Sequence, residues 1–179
     1  MKKYSLLVLA LLASFAGRAQ TQKVISNGIG IGFHLSQFQR DFGMGLNLTS
    51  PYFAKDKIAI RARSNLMFHE NVQNTVSTWT PYLNMSLGLI GVSGNIGDYI
   101  RLYGEGGITG LLPSSKFSSQ QFAFGGYGLF GFEFFMKPNH NYFIEIGGIG
   151  TGAREDKSPT QPIYSNGLII SAGFRFNLK

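Results

Sequence analysis

The sequence predicts an all-β fold: an eight-stranded antiparallel up-and-down transmembrane β-barrel, preceded by a cleaved signal peptide. Three observations lead there. The N-terminal apolar segment is too short to cross a membrane, the rest of the chain alternates with period two, and the composition is poor in charge but rich in glycine and phenylalanine.

Met1-Lys2-Lys3 is a short positive start, and Tyr4 to Ala13 is an apolar run of ten residues. As a helix that run reaches about 15 Å, half of the ~30 Å of hydrocarbon in a bilayer. Ala16-Gly17-Arg18-Ala19 then places small residues three and one before a cut after Ala19, the order of a secretory signal peptide. The expected division is 1–19 signal peptide and 20–179 barrel. No later apolar stretch is long enough for a spanning helix, so any membrane span must be a closed sheet, which satisfies every backbone group in lipid.

Charged residues make up 14% of the chain, against about a quarter in soluble domains. The 16 Phe argue against a disordered chain. Removing Lys2, Lys3 and Arg18 takes the formal net charge from +7 to +4. That balance, with no cluster of basic and aromatic residues, excludes a nucleic-acid partner. There is no Cys, hence no disulfide, thiolate ligand, thiol nucleophile or lipid-modified cysteine.

Eight segments alternate. Ile29, Ile31, Phe33 and Leu35 interleave with glycines, His34 and Ser36. Phe42, Met44, Leu46 and Leu48 interleave with Gly43, Gly45, Asn47 and Thr49. Ile58, Ile60 and Ala62 oppose Arg61 and Arg63, in a strand that runs on toward Phe68. Leu83 to Leu89 alternate with Asn84, Ser86 and Gly88. Ile100, Leu102 and Ile108 oppose Arg101, Tyr103 and Glu105. Phe122, Phe124, Phe130, Phe132 and Phe134 oppose Gly125, Tyr127, Gly131 and Glu133. Ile144 and Ile146 oppose Glu145. Leu168, Ile170, Ala172, Phe174, Phe176 and Leu178 oppose Ser171, Gly173, Arg175 and Asn177. Strands of about ten residues suit a tilted crossing of a bilayer, and an even number puts both chain ends on one side.

The connections at 50–56, 93–98 and 137–141 carry the Pro, Gly and Asn of compact turns. Those at 70–77, 111–120 and 154–164 are longer and more polar, and any extracellular ligand is expected there. The connection at 37–40 is short. Aromatics near strand ends (Tyr52, Phe53, Trp79, Tyr82, Tyr99, Tyr142 and Tyr164) suit a girdle at the membrane–water boundary.

Alternation defines two faces but not which is outside. A soluble barrel of lipocalin type would turn the apolar face inward. The polar face here is glycine- and serine-rich, a poor solvent coat but a good fit to a narrow lumen. The Gly-x-Trp expected of a lipocalin near the first strand is also missing. The apolar face is therefore expected to meet lipid.

The signal peptide, the first strand GIGIGFHLS, the strand GLFGFEFF and the terminal SAGFRFNLK resemble the small outer-membrane β-barrel superfamily, of the OmpA transmembrane-domain and OmpX type. The likeness spans essentially the whole mature chain, as a pattern rather than a residue motif. It implies residence in the outer membrane of a Gram-negative bacterium, contact with outer-membrane lipid and lipopolysaccharide, and recognition of the last strand by the barrel-assembly machinery. That strand departs from the pattern in ending on Lys179 rather than on an aromatic. The resemblance implies no catalytic residues, and no cofactor or metal is expected.

Seven charges share the polar face: Arg61, Arg63, Arg101, Glu105, Glu133, Glu145 and Arg175. A turn centred on Asn139 would pair Glu133 with Glu145. A loop centred on Pro159 or Thr160 would set Glu145 opposite Arg175, and Glu133 would lie beside Arg101. The expectation is one layer in the order Arg, Glu, Glu, Arg, plugging the periplasmic half of the lumen. Adjacent carboxylates in a low dielectric repel and need those arginines or a shared proton. A carboxylate pair could alternatively serve acid/base catalysis.

His34 and Ser36 lie on one strand face, as in lipid A deacylase barrels that use His-x-Ser with a Glu, but no Glu can be assigned and the pair shares the luminal face. His69 and His140 lack metal-ligand spacing. Gly104, Gly106 and Gly107 form no phosphate loop, because no helix follows. Asn47-Leu48-Thr49, a glycosylation pattern, has no meaning in a bacterial strand. The function expected is an integral outer-membrane protein of structural or surface-interaction type, without catalysis. The alternatives are a narrow pore or small hydrophobic-molecule carrier, and a lipid A-modifying enzyme.

Overall fold

The computed structural model describes residues 27–73, 76–158 and 160–178. The expected signal peptide lies outside them. The chain forms β1 (Ile29–Phe38), β2 (Asp41–Thr49), β3 (Ile58–Gln73), β4 (Val76–Ile96), β5 (Ile100–Leu112), β6 (Ala123–Lys137), β7 (His140–Gly150) and β8 (Gly167–Leu178). Each strand pairs antiparallel with its sequence neighbour. The β1–β8 ladder, from Ile29↔Leu178 to Phe38↔Ile169, closes the barrel.

The apolar face points outward. Leu46, Ile108 and Phe124 are 61%, 62% and 69% exposed, while Arg61 and Glu145 on the other face are 0% exposed. This is the reverse of a soluble barrel, in which the apolar side chains fill the interior.

One end of the barrel carries short turns. Ala54, Lys55 and Asp56 form a left-handed turn with φ of 52°, 61° and 60°, and Gly97 turns between β4 and β5 with φ of 60°. The other end carries the turn at 39–40, the β3–β4 hairpin and the segments 113–122 and 151–166.

The expected polar loop at 70–77 is instead the top of the β3–β4 hairpin, with Glu70↔Trp79 and Asn71↔Thr78 in register. β2 leaves β3 at Phe42↔Phe68 and β5 leaves β4 at Leu83↔Leu112, so the hairpin overhangs the barrel without lateral neighbours. Polar residues occupy both of its faces, with Glu70 exposed and Asn71 buried, so hydropathy does not alternate although burial does. β4 reaches 21 residues by the same overhang, rather than the expected ten or so.

The aromatic girdle needs a similar correction. Trp79, Phe53, Tyr99 and Tyr142 are exposed on the outside, but Tyr52, Tyr82 and Tyr164 are buried in the interior. Tyr82 lies within β4 on the inward parity of Thr80 and Asn84, while Tyr52 and Tyr164 lie in connecting segments that turn their rings inward.

Inward and outward glycines differ in kind. A Cβ on inward Gly131 would clash with the Tyr103 ring, and one on Gly30 would fall 2.6 Å from Cδ of Arg175. Inward glycines thus face the large luminal side chains, small against large, as a narrow barrel requires. Outward Gly104, Gly106, Gly126, Gly128 and Gly148 would place a Cβ no nearer than 3.5 Å to any atom.

Adjacent Gly147 and Gly148 test this difference. Gly147→Ala drives a methyl into the Gly128 carbonyl and the Leu129 backbone and is expected to destabilise the barrel by about 1–3 kcal/mol. Gly148→Ala has room, 3.6 Å from the nearest oxygen, and is expected to be neutral or to stabilise by roughly 0.4–1 kcal/mol through the unfolded chain. Urea unfolding in detergent measures both.

Candidate functional site: the charged lumen

The interior is stratified from the turn end to the loop end. Lowest lie Arg101, Glu133 and Arg175. Arg101 and Glu133 are direct cross-strand partners of β5 and β6, with Arg101 Nη1 donating to Glu133 Oε2 at 3.2 Å. Arg175 Nη1 donates to the other oxygen of the same carboxylate, and its Nε donates to Asn47 Oδ1 at 3.0 Å. The two guanidiniums also lie over rings, Arg101 over Tyr52 at 4.2 Å and Arg175 over Phe143 at 4.6 Å, contacts that take up positive charge where water is excluded.

The next layer joins β3, β5 and β7. Arg61 Nη1 donates to Glu105 Oε2 at 2.7 Å and to Glu145 Oε1 at 2.9 Å. Arg63 grips the same two carboxylates, with Nη2 at 2.6 Å from Glu105 and Nη1 at 2.7 Å from Glu145. Tyr103 Oη donates to Glu145 at 2.5 Å, Tyr127 Oη to Glu105 at 2.8 Å, and Arg61 Nε to Thr49 Oγ1 at 2.9 Å. Two positive and two negative charges balance here, and fork-shaped guanidiniums suit such shared bonding to carboxylates.

The structure thus gathers the seven charges predicted for the lumen, all buried, but in two clusters rather than one layer. Glu145 is not beside Glu133. It pairs with Gly131 on β6, and Glu133 pairs with Phe143. The ladder closes at Lys137↔His140 around a two-residue turn, with an irregularity between Phe135 and Lys137, which slides β7 by two residues from a turn centred on Asn139. Nor does Glu145 face Arg175: its β8 partner is Ser171 and that of Arg175 is Asn141. The segment 151–166 folds inward between β7 and β8, so its midpoint misplaces the ladder. No carboxylate pair remains at Glu133 and Glu145 for acid/base chemistry.

Above the ions lies a neutral polar layer. Asn47 Nδ2 contacts His34 Nδ1 at 3.2 Å, and His34 Nε2 contacts Asn65 Oδ1 at 2.6 Å. With the Asn47 amide donating to Nδ1, the Nε2–H donates to Asn65, a neutral ring held from both sides. Ser36 bonds to Ser171 at 2.8 Å. His34 and Ser36 therefore face the lumen with other partners, away from any lipid substrate. A cavity of about 20 Å³ remains in this layer, room for a water molecule.

An apolar plug follows: Phe38, Met67, Leu111, Phe117, Tyr164 and Ile169, among others. Phe117, from segment 113–122, packs 5.0 Å from the Tyr164 ring and 5.2 Å from that of His69. At the top, His69 bridges Asp41 (2.7 Å) and Glu155 (3.2 Å), while Asp41 Oδ2 accepts from Tyr82 Oη and the Ser165 amide. Outside the barrel wall, Ser119 bonds through its backbone amide and hydroxyl to Asp156, tying the two loop segments together and holding that carboxyl below its usual range.

Sequence reasoning did not single out Tyr103, Tyr127, Thr49, Asp41 or Glu155 as partners. Asp41 carried a usable signal, since it shares the parity of luminal Gly43 and Gly45. Glu155 carried none, because irregular chain has no parity.

No family model matches this sequence, and no curated protein matches it. Among solved structures the chain is similar to the N-terminal β-barrel domain of Pseudomonas aeruginosa OprF, with TM-score 0.58 and 15% identity over 86% of this chain and 98% of that one. It also aligns with the outer membrane protein OprG of Pseudomonas aeruginosa (TM-score 0.46, 15% identity, 87% and 98% covered). A third is Ail, the attachment invasion locus protein of Yersinia pestis (TM-score 0.43, 14% identity, 85% and 100% covered). At such identity the OprF likeness speaks to the fold, a small closed barrel.

Glu145→Gln leaves Arg61 and Arg63 sharing one carboxylate in a dry interior. It is expected to destabilise the barrel by about 3–5 kcal/mol, the range for breaking a buried ion pair. Urea unfolding followed by tryptophan fluorescence of Trp79 reads this loss.

Proposed function

We propose that this chain is an integral outer-membrane protein of structural or surface-interacting type, with a sealed lumen and no catalytic role. The observation that carries this reading is the inverted barrel: large apolar side chains coat the outside while paired Arg and Glu fill the inside. In water that exterior would be a continuous sticky surface, and in a bilayer it is solvated by hydrocarbon. The turn end, where Ile29 meets Leu178, then faces the periplasm. The loop end faces outward among lipopolysaccharide headgroups and presents segments 113–122 and 151–166 and the β3–β4 overhang to an extracellular ligand. The last strand, Gly167–Leu178, offers the assembly machinery its alternating apolar face.

The layered interior supports a closed barrel over a pore, and a 20 Å³ cavity has no room for a carried hydrophobic molecule. The luminal placement of His34 and Ser36 supports a non-enzymatic role over lipid A modification.

Protein extracted from membranes is expected to migrate differently on gels before and after boiling, and to give no discrete current steps in planar bilayers. Heat-independent migration would overturn the closed barrel. Stepwise conductance would overturn the sealed lumen.

A further inference from the structure

The turn end holds a vestibule of about 370 Å³ lined by Asn27, Lys55, Lys57, Ser93, Asn95 and Arg101, with Asp56 on its wall. Two irregular pieces of backbone shape it. One is the left-handed turn at Ala54, Lys55 and Asp56, an unusual conformation for consecutive side-chain-bearing residues. The other is the irregularity between Val92 and Gly94 on β4, which leaves Ser93 outside the ladder. A bond from the Val92 amide to the Lys57 carbonyl, 2.8 Å, ties the two together. Asp56 is occupied: its Oδ1 accepts from Asn27 Nδ2 at 2.6 Å.

Charge is unbalanced at this end. Arg101, 4% exposed, shares the single carboxylate of Glu133 with Arg175. Two cations thus meet one anion, and on the vestibule wall Lys55 and Lys57 outnumber the Asp56 carboxylate. Three cationic side chains against one carboxylate on the vestibule wall suit an anionic occupant.

We propose that this vestibule binds a small phosphate-type oxyanion. Arg101 forms the inner wall, Lys55 and Lys57 close the mouth, and Ser93 and Asn95 supply neutral donors. Guanidinium and ammonium groups around a cup of this kind suit a multi-oxygen anion better than a halide, because each oxygen accepts from a different donor.

The test is a titration of the detergent-extracted protein with inorganic phosphate, at ionic strength held constant with chloride, read by calorimetry and by amide shifts of Ser93 and Asn95. Saturable binding is expected, and Lys55→Asn with Lys57→Gln should weaken it about tenfold. Both lysines are exposed, and Asn tolerates the left-handed backbone, so the unliganded melting temperature should stay the same. Absence of saturation, equal binding in the double variant, or equal response to acetate would overturn the assignment.

Discussion

The shared grip of Arg61 and Arg63 on Glu105 and Glu145 is the interaction around which the rest of the interior is arranged. The four side chains come from β3, β5 and β7, strands that make no ladder with one another, and so brace the barrel across its lumen. A buried charge left without its partner costs several kcal/mol, so the lattice tolerates no partial version of itself. That requirement explains the small residues around it. Gly88 and Gly131 face the Tyr127 and Tyr103 rings, whose hydroxyls complete the carboxylates' bonding. A wide pore could hydrate such ions, whereas this barrel brings them into direct contact.

Above the lattice the chemistry changes by layer, from ions to amides and hydroxyls to an apolar plug. The plug depends on chain that is not strand. Phe117 and Tyr164 come from connecting segments, and these are held down by the Asp41–His69–Glu155 bridge and the Ser119–Asp156 bonds. The mouth is closed by folded loops rather than by the sheet.

The number of strands, the outward face and the identity of the luminal charges were legible in the sequence because each rests on parity, which a closed barrel enforces along every strand. Partner choice was not legible. It depends on register between strands, and one irregularity near Met136 with a two-residue turn was enough to move Glu145 away from Glu133. The overhang at 70–77 was misread because polar residues on both faces leave no hydropathy alternation to display. Glu155 and Tyr52 lay outside the strands, and Tyr82, taken for a rim residue, lies inside a β4 longer than expected.

The topology also dictates an order of assembly. Seven of the eight ladders join neighbours in sequence, and most can form as hairpins closed by short loops. The eighth joins Ile29 to Leu178, across nearly the whole described chain. Closing so long a loop carries the largest single entropic penalty in the molecule. The seam between β1 and β8 is therefore the last to zip, and until it does both strands present bare hydrogen-bonding edges.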